Sequence, residues 1–315
     1  ASALATQTGS PVAWMVAIVV GGALFGDNLS FISDTTIAAT RTQGCSMRSK
    51  FHTNIRLVIP AAVATLLLYA FSGNGIEEIK SNPVTINEIL KCIPYLTVIV
   101  CSLIGMNVLM VLITGIVISA VMGIIFGTVD GIGIFTEMGS GIMGMTELII
   151  VTMLAGGLLE IVRINGGIDY LIRIVTHRMN SKRAAEFAIT ALTALANICT
   201  ANNTVAIISV GSIARQIAER FGISARRTAS LLDTFSCFIQ GLIPYGAQLL
   251  MAASLTAATY NIAISPVQIV PNMWYCWILG AFGLLSIFVP YADGICRKDP
   301  WNWAHDKAQS TVDKK

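Results

Sequence analysis

The sequence predicts an all-α polytopic membrane protein built from inverted repeats, with a re-entrant helical hairpin and broken transmembrane helices. Three observations carry that prediction. Of the 315 residues, 55% are hydrophobic and 12% charged, with a mean hydropathy of +0.73, far more apolar than a soluble domain of this size. Apolar runs recur at 11–26, 57–72, 93–129, 146–162, 187–214, 228–258 and 272–290, several close to the about 20 residues that a spanning helix needs. They lack the polar alternation of a membrane barrel strand, so they are helices. Finally, five acids, Asp27, Asp34, Glu147, Glu160 and Asp233, sit in apolar stretches that hold no Lys or Arg.

Bases orient the chain. Arg41, Arg48, Lys50 and Arg56 fill one connection, Arg163, Arg173, Arg178, Lys182 and Arg183 a second, and Arg215, Arg220, Arg226 and Arg227 a third; these three are expected to be cytoplasmic. The connections 73–91, with Glu77, Glu78 and Glu88, 130–145, with Asp130 and Glu137, and the uncharged 259–271 are expected outside.

Threading the runs through these sides takes residues 11–40 inward and 228–258 outward. Both are interrupted by polar residues, Asp27-Asn28-Leu29-Ser30 through Ser33-Asp34-Thr35-Thr36 in the first and Asp233-Thr234-Phe235-Ser236 through Pro244-Tyr245-Gly246 in the second. Two opposed broken helices that each carry Asp-x-x-Ser point to inverted repeats, with the ion site at the breaks. The run 187–214 is flanked by bases at both ends. It is too short, at about 1.5 Å per residue, for two crossings of a core about 30 Å thick. It is therefore expected to be a re-entrant hairpin, with Thr200-Ala201-Asn202-Asn203-Thr204 at its tip, lining a cavity.

An acid at membrane depth needs neutralising, and with no fixed base in its stretch the partner is a mobile one, a metal cation or a proton. Asp27, Asn28, Ser30, Ser33, Asp34 and Thr35 offer carboxylate, amide and hydroxyl oxygens, and an unwound backbone adds carbonyls; hard cations such as Na+ prefer such ligands. Asn202, Asn203 and Thr204 at the tip, and Asp233 and Ser236 at the second break, complete the candidate set, with Asp27 and Asp34 as direct Na+ ligands. Two cations competing for one carboxylate give antiport.

Plainer roles compete with these. Asp27 and Asp233 could cap half-helices, Ser and Thr could bond their own backbone, Glu147 could start a helix, Glu160 could pair with Arg163, and Asn202 and Asn203 could satisfy a turn. The seven cysteines have no CxxC spacing, which predicts neither a disulfide framework nor a metal site. His52, His177 and His305 fall in expected loops or the tail, leaving Ser30 or Ser236 no base for a hydrolase. The net charge of +3 does not imply nucleic acid.

The stretch Gly22-Ala23-Leu24-Phe25-Gly26-Asp27-Asn28-Leu29-Ser30, followed by Ile32-Ser33-Asp34-Thr35-Thr36, resembles the signature of the NhaC family of Na+/H+ antiporters. Leu232-Asp233-Thr234 with Ile243-Pro244-Tyr245-Gly246 is similar to that family's later stretch. The resemblance implies an ion-transporter superfamily fold with two inverted repeats, and alternating access around a central site at which Asp27, Asn28, Ser30, Asp34 and Thr35 bind the ion and Asp233 marks the mirrored break. Asn202 and Asn203 stand where the family commonly has an acid, and Tyr245 where it often has Trp.

These readings divide the chain into the end of a first repeat (1–72), a connection with apolar helices (73–129), a second repeat (130–293) with the hairpin at about 187–214 and the broken helix at about 228–258, and a cytoplasmic tail (294–315). Residues 1–10 read as a hairpin's return arm, so the chain is expected to lack the rest of the first repeat. The expected function is Na+/H+ antiport in the inner (plasma) membrane, without a cofactor beyond the transported Na+ and H+. Its partners are the bilayer and the two ions, with a homodimer left open, and the alternative is a coupled organic carboxylate exchanger.

Overall fold

The computed structural model describes residues 8–30, 33–72, 92–104, 108–144, 181–260 and 262–289, with scattered positions outside these ranges. Glu147, Arg163, His177, His305 and Cys296 lie outside the described residues. Among the described residues every regular element is helical, and the chain is an all-α membrane protein.

Two compact units form, one from residues 1–76 and 147–315, the other from 77–146. The first begins with α1 (Val12–Leu29), α2 (Asp34–Gln43) and α3 (Met47–Ser72). The second contains α4 (Ile93–Leu103), α5 (Val108–Ile125) and α6 (Gly133–Gly144); a cavity of about 470 Å³ within it has apolar walls and one acid, Glu137. The first unit resumes with α7 (Lys182–Thr200), α8 (Asn203–Phe221), α9 (Ala225–Gln240), α10 (Ala247–Tyr260), the short α11 (Pro266–Ile269) and α12 (Trp274–Phe288).

Local chemistry sets the ends of these helices. Ser33, Ser181, Asn202 and Ser224 are N-caps whose side chains accept a backbone N–H from the first turn of α2, α7, α8 and α9, satisfying donors that a helix start leaves orphaned. The C-cap of α8 is Gly222 at φ +65°, a left-handed conformation open to glycine without steric cost. Two interruptions follow the expected polar clusters: Ser30–Ser33 separates α1 from α2, and turns over 241–246 separate α9 from α10.

Length and composition allow α3, and α1 with α2 taken together, to cross a membrane; α11 and the 3-10 turn after it meet α12 at a 53° bend, the geometry of a broken span or of a re-entrant loop. Two boundaries differ from expectation. The helix expected from residue 57 begins at Met47, because hydropathy does not register polar residues that tertiary packing nonetheless keeps helical. For the same reason α7 and α8, at 19 residues each, outrun the apolar stretch 187–214. Each is about 28 Å long, so shortness no longer argues for re-entrance.

Two apolar clusters hold the first unit. One joins α2, α7, α8, α9 and α12 through Ala39, Ile189, Ile207, Leu231 and Ile287. The other joins α1, α3, α9, α10 and α12 through Leu24, Leu57, Cys237, Leu249 and Leu279. Helix α9 belongs to both, and the polar residues it carries between them form the centre of the site.

Candidate functional site

Helix α3 presents one stripe inward, Lys50, Thr53, Asn54, Leu57, Val58, Ala61 and Thr65, the three-and-four spacing of a single helix face. Its upper, polar part meets α9. Lys50 Nζ, 1% exposed, donates to Asp233 Oδ2 at 2.5 Å, to Thr36 Oγ1 at 2.8 Å and to the Asn28 carbonyl at 3.1 Å. One turn on, Asn54 Nδ2 donates to the same Asn28 carbonyl at 2.7 Å and to Asn28 Oδ1 at 2.6 Å, while its Oδ1 accepts from Ser230 at 2.8 Å and Thr234 at 3.1 Å. Asn28, Thr35, Asn54, Ser230, Asp233 and Thr234 are all fully buried.

This network corrects the expectation that the acids lack a built-in counter-charge. Asp233 has one, Lys50, which reads as a loop base in the sequence because it lies in an acid-free basic connection. Asp233 itself lies mid-helix in α9, not in the break that follows at 241–246. Two carbonyls at the first break already accept protein donors. Lys50 and Asn54 both donate to Asn28 O, and the Thr36 hydroxyl donates to Ser30 O at 3.0 Å.

The other two acids are placed differently. Asp27 lies in the last turn of α1, half-buried, and Asp34 opens α2 and is exposed. Among the described residues neither has an ion pair; their partners are neutral and come from the hairpin tip. Asn203 Nδ2 donates to Asp27 Oδ2 at 3.2 Å, and Thr204 Oγ1 donates to Asp34 Oδ2 at 2.7 Å. A carboxylate at a helix C-terminus faces the negative end of the dipole, so Asp27 is not a cap, and the helix end disfavours its charge. Asp27 lies within electrostatic range of Asp233, Asp34 and Lys50, a cluster of three acids and one base. Among the described residues no three acidic, His or Cys side chains converge as a metal-holding group, so the three acids do not share one point.

Of the remaining sequence candidates, the Ser33 and Asn202 side chains cap α2 and α8, Ser236 donates to the Asp233 carbonyl at 2.9 Å, and the Thr35 hydroxyl lies 3.1 Å from the Ser33 hydroxyl while its N–H donates to Asp34 Oδ1 at 3.0 Å. The tip is braced from the other side. Gln240 Nε2 donates to Ala201 O at 2.9 Å, Asn197 Nδ2 to Ser236 O at 2.6 Å, and Tyr245 OH to Ile198 O at 2.8 Å. Sequence reasoning missed Lys50, Asn54, Ser230 and Gln240; the stripe that starts at Lys50 and Asn54, four residues apart, was the available signal. It also placed His52 in a loop, whereas this exposed residue belongs to α3.

A second buried pair lies apart from the acids. Arg227 Nη2 reaches Glu186 Oε2 at 3.0 Å, Ser286 Oγ at 3.0 Å and the Ser286 carbonyl at 3.1 Å, tying α9 to α7 and α12.

A model of the Na+/H+ antiporter family matches residues 75–289, more than half of the chain. The chain belongs to the Na+/H+ antiporter family. The family match takes in the hairpin and α9 with Asp233, and begins after Asp27, Asp34 and Lys50. Two relatives from Bacillus subtilis (strain 168) extend the similarity. The Na(+)/H(+) antiporter NhaC is 22% identical over 320 residues, covering 91% of this chain and 69% of its own length. The Malate-2H(+)/Na(+)-lactate antiporter is 23% identical over 320 residues, covering 91% of this chain and 66% of its own length. The chain thus spans about two thirds of each relative. No solved structure matches it. Family membership places the chain among membrane transporters, as the sequence resemblance implied.

Proposed function

We propose that the protein is a secondary antiporter of the inner (plasma) membrane that exchanges Na+ for H+, with Asp27 and Asp34 as the carboxylates that the two cations occupy in turn. The observation that carries this reading is the contrast among the three acids. Asp233 is fully buried and neutralised by Lys50, whereas Asp27 and Asp34 reach toward solvent and have neutral partners. A charge left without a counter-ion in a largely apolar setting attracts a mobile one. Sodium takes oxygen ligands, and a proton titrates the same oxygens, so one site serves both and binding of either excludes the other. No cofactor enters the scheme beyond the transported ions. The hairpin tip reaches membrane depth, the two breaks belong to inverted repeats, and the exposed apolar faces meet lipid.

The malate/lactate relative supplies a second reading, organic anion exchange, and the interior bases Lys50 and Arg227 remove one sequence argument against it. Lys50 has three N–H groups and three acceptors and is closed to solvent, while Arg227 is engaged by Glu186 and Ser286. Both bases are 1% exposed, so neither faces a carboxylate substrate, and the cation reading is the better supported.

The test is Na+-driven proton movement in proteoliposomes of the full-length protein, followed with a pH-sensitive dye. Asp27→Asn is expected to abolish it; unchanged exchange removes Asp27 from the mechanism. Replacing Na+ by malate or lactate gradients in the same vesicles separates the two readings.

A further inference from the structure

We propose that the hairpin tip is an internal surrogate for the transported cation: Asn203 and Thr204 hold the Asp27 and Asp34 carboxylates while no ion is bound, and Na+ has to displace them. This rests on the reading that Asp27 and Asp34 bind the ion, and it assigns the tip a role opposite to that of a ligand.

Polarity is the argument. Both tip groups present hydrogen-bond donors to the carboxylates, where a sodium ligand presents lone pairs. The Asn203 amide is fixed in that sense, because its Oδ1 accepts the Thr204 N–H at 3.1 Å and leaves Nδ2 facing Asp27. Asn202 is unavailable as a replacement, since its Oδ1 caps Val205 N–H at 3.0 Å. These two residues open the 19-residue helix α8, so its positive dipole end faces the acids as well. Two donors and a helix start thus stand where a cation would stand.

The tip holds the two acids only lightly. Gln240 grips the Ala201 carbonyl at the tip and Tyr245 the Ile198 carbonyl in the last turn of α7, while the tip's side-chain links to Asp27 and Asp34 are single hydrogen bonds from neutral groups. A carboxylate that has taken up Na+ or a proton is a poorer acceptor, so ion binding weakens the links and frees the tip. The empty, charged site stays latched. Coupling then needs no separate lock.

The double variant Asn203→Ala/Thr204→Val, in the full-length protein in proteoliposomes, removes both surrogate donors. Half-maximal Na+ for exchange is expected to fall about tenfold, the effect of roughly one net hydrogen bond released per ion bound. Thr204→Ser, which keeps the donor, is expected to retain the native value. A half-maximal Na+ that rises or stays unchanged overturns the proposal, a rise making the tip a ligand. If the double variant does not fold, as judged by a thermal melt, the single variants Asn203→Ala and Thr204→Val give the same sign test. Asp27→Asn in the native background separates the levels: normal exchange there sinks the site itself, whereas an inactive Asp27→Asn beside an unshifted tip variant sinks only the surrogate role.

Discussion

Lys50 Nζ and Asp233 Oδ2 lie 2.5 Å apart in a setting closed to solvent, joining α3 to α9 across 183 positions of sequence. The same ammonium reaches the Asn28 carbonyl, near the end of α1, where positive charge meets the negative end of the helix dipole. One side chain thus fixes the end of one broken helix against the middle of the other.

Removing one partner of a buried pair leaves an uncompensated charge. Lys50→Met is expected to destabilise the protein by about 3–5 kcal/mol, measured as loss of thermal stability in detergent. Lys50→Met combined with Asp233→Asn, which leaves no charge, is expected to recover much of that loss, so that the two effects are strongly non-additive. An additive cycle would contradict the pairing.

Asp34 is more exposed than Asp27, and water screens it better. Asp34→Asn is therefore expected to weaken half-maximal Na+ without abolishing exchange, a graded effect against the all-or-none loss from Asp27→Asn. Equal effects of the two substitutions would argue against this ranking.

Competition for one set of oxygens has a signature in solution. As pH falls on the side where Na+ binds, half-maximal Na+ is expected to rise while the maximal rate at saturating Na+ changes much less. Stopped-flow dye measurements across a pH series read this out, and a half-maximal Na+ that does not move with pH would place proton and sodium at separate sites.

Gly211 on α8 lies against α2, where its carbonyl accepts Gln43 Nε2 at 2.8 Å and a Cβ would come within 2.5 Å of the Thr42 Cβ. Gly211→Ala is expected to cost about 1–3 kcal/mol through overpacking, seen in a thermal melt. An unchanged melting temperature would mean that α2 and α8 separate at little cost.

Arg227 is 1% exposed and reaches both Glu186 and Ser286; a lysine is shorter, and its more strongly hydrated ammonium is costlier to bury there. Arg227→Lys is expected to lower the melting temperature while half-maximal Na+ stays native, because the residue is apart from the ion site. A shift in Na+ dependence with stability intact would reassign it.

The breaks and the hairpin turn were legible because their signals are local. Ser33 caps a helix, Pro244 and Gly246 interrupt one, and Asn202 starts the next, all within a few residues. Asp27 and Asp34 stood out as acids in apolar surroundings. Lys50 did not, since in sequence a lysine amid Arg41, Arg48 and Arg56 looks like a solvated loop base; its role appears only when α9 supplies a partner from far along the chain. The bonds of Asn203 and Thr204 to the two acids were hidden for the same reason. Composition marks a polar tip, but whether it offers donors or lone pairs is decided by three-dimensional orientation.

The long separation between Lys50 and Asp233 has a consequence for biosynthesis. At about 5–20 residues per second, roughly ten to forty seconds pass between translation of the lysine and of its aspartate. During that interval α3 carries an unpartnered ammonium, which adds about 2.5–3.5 kcal/mol to the insertion of a single helix if it sits near the bilayer centre. Burial of the Lys50 ammonium beside its counter-charge therefore waits on the emergence of α9 from the ribosome.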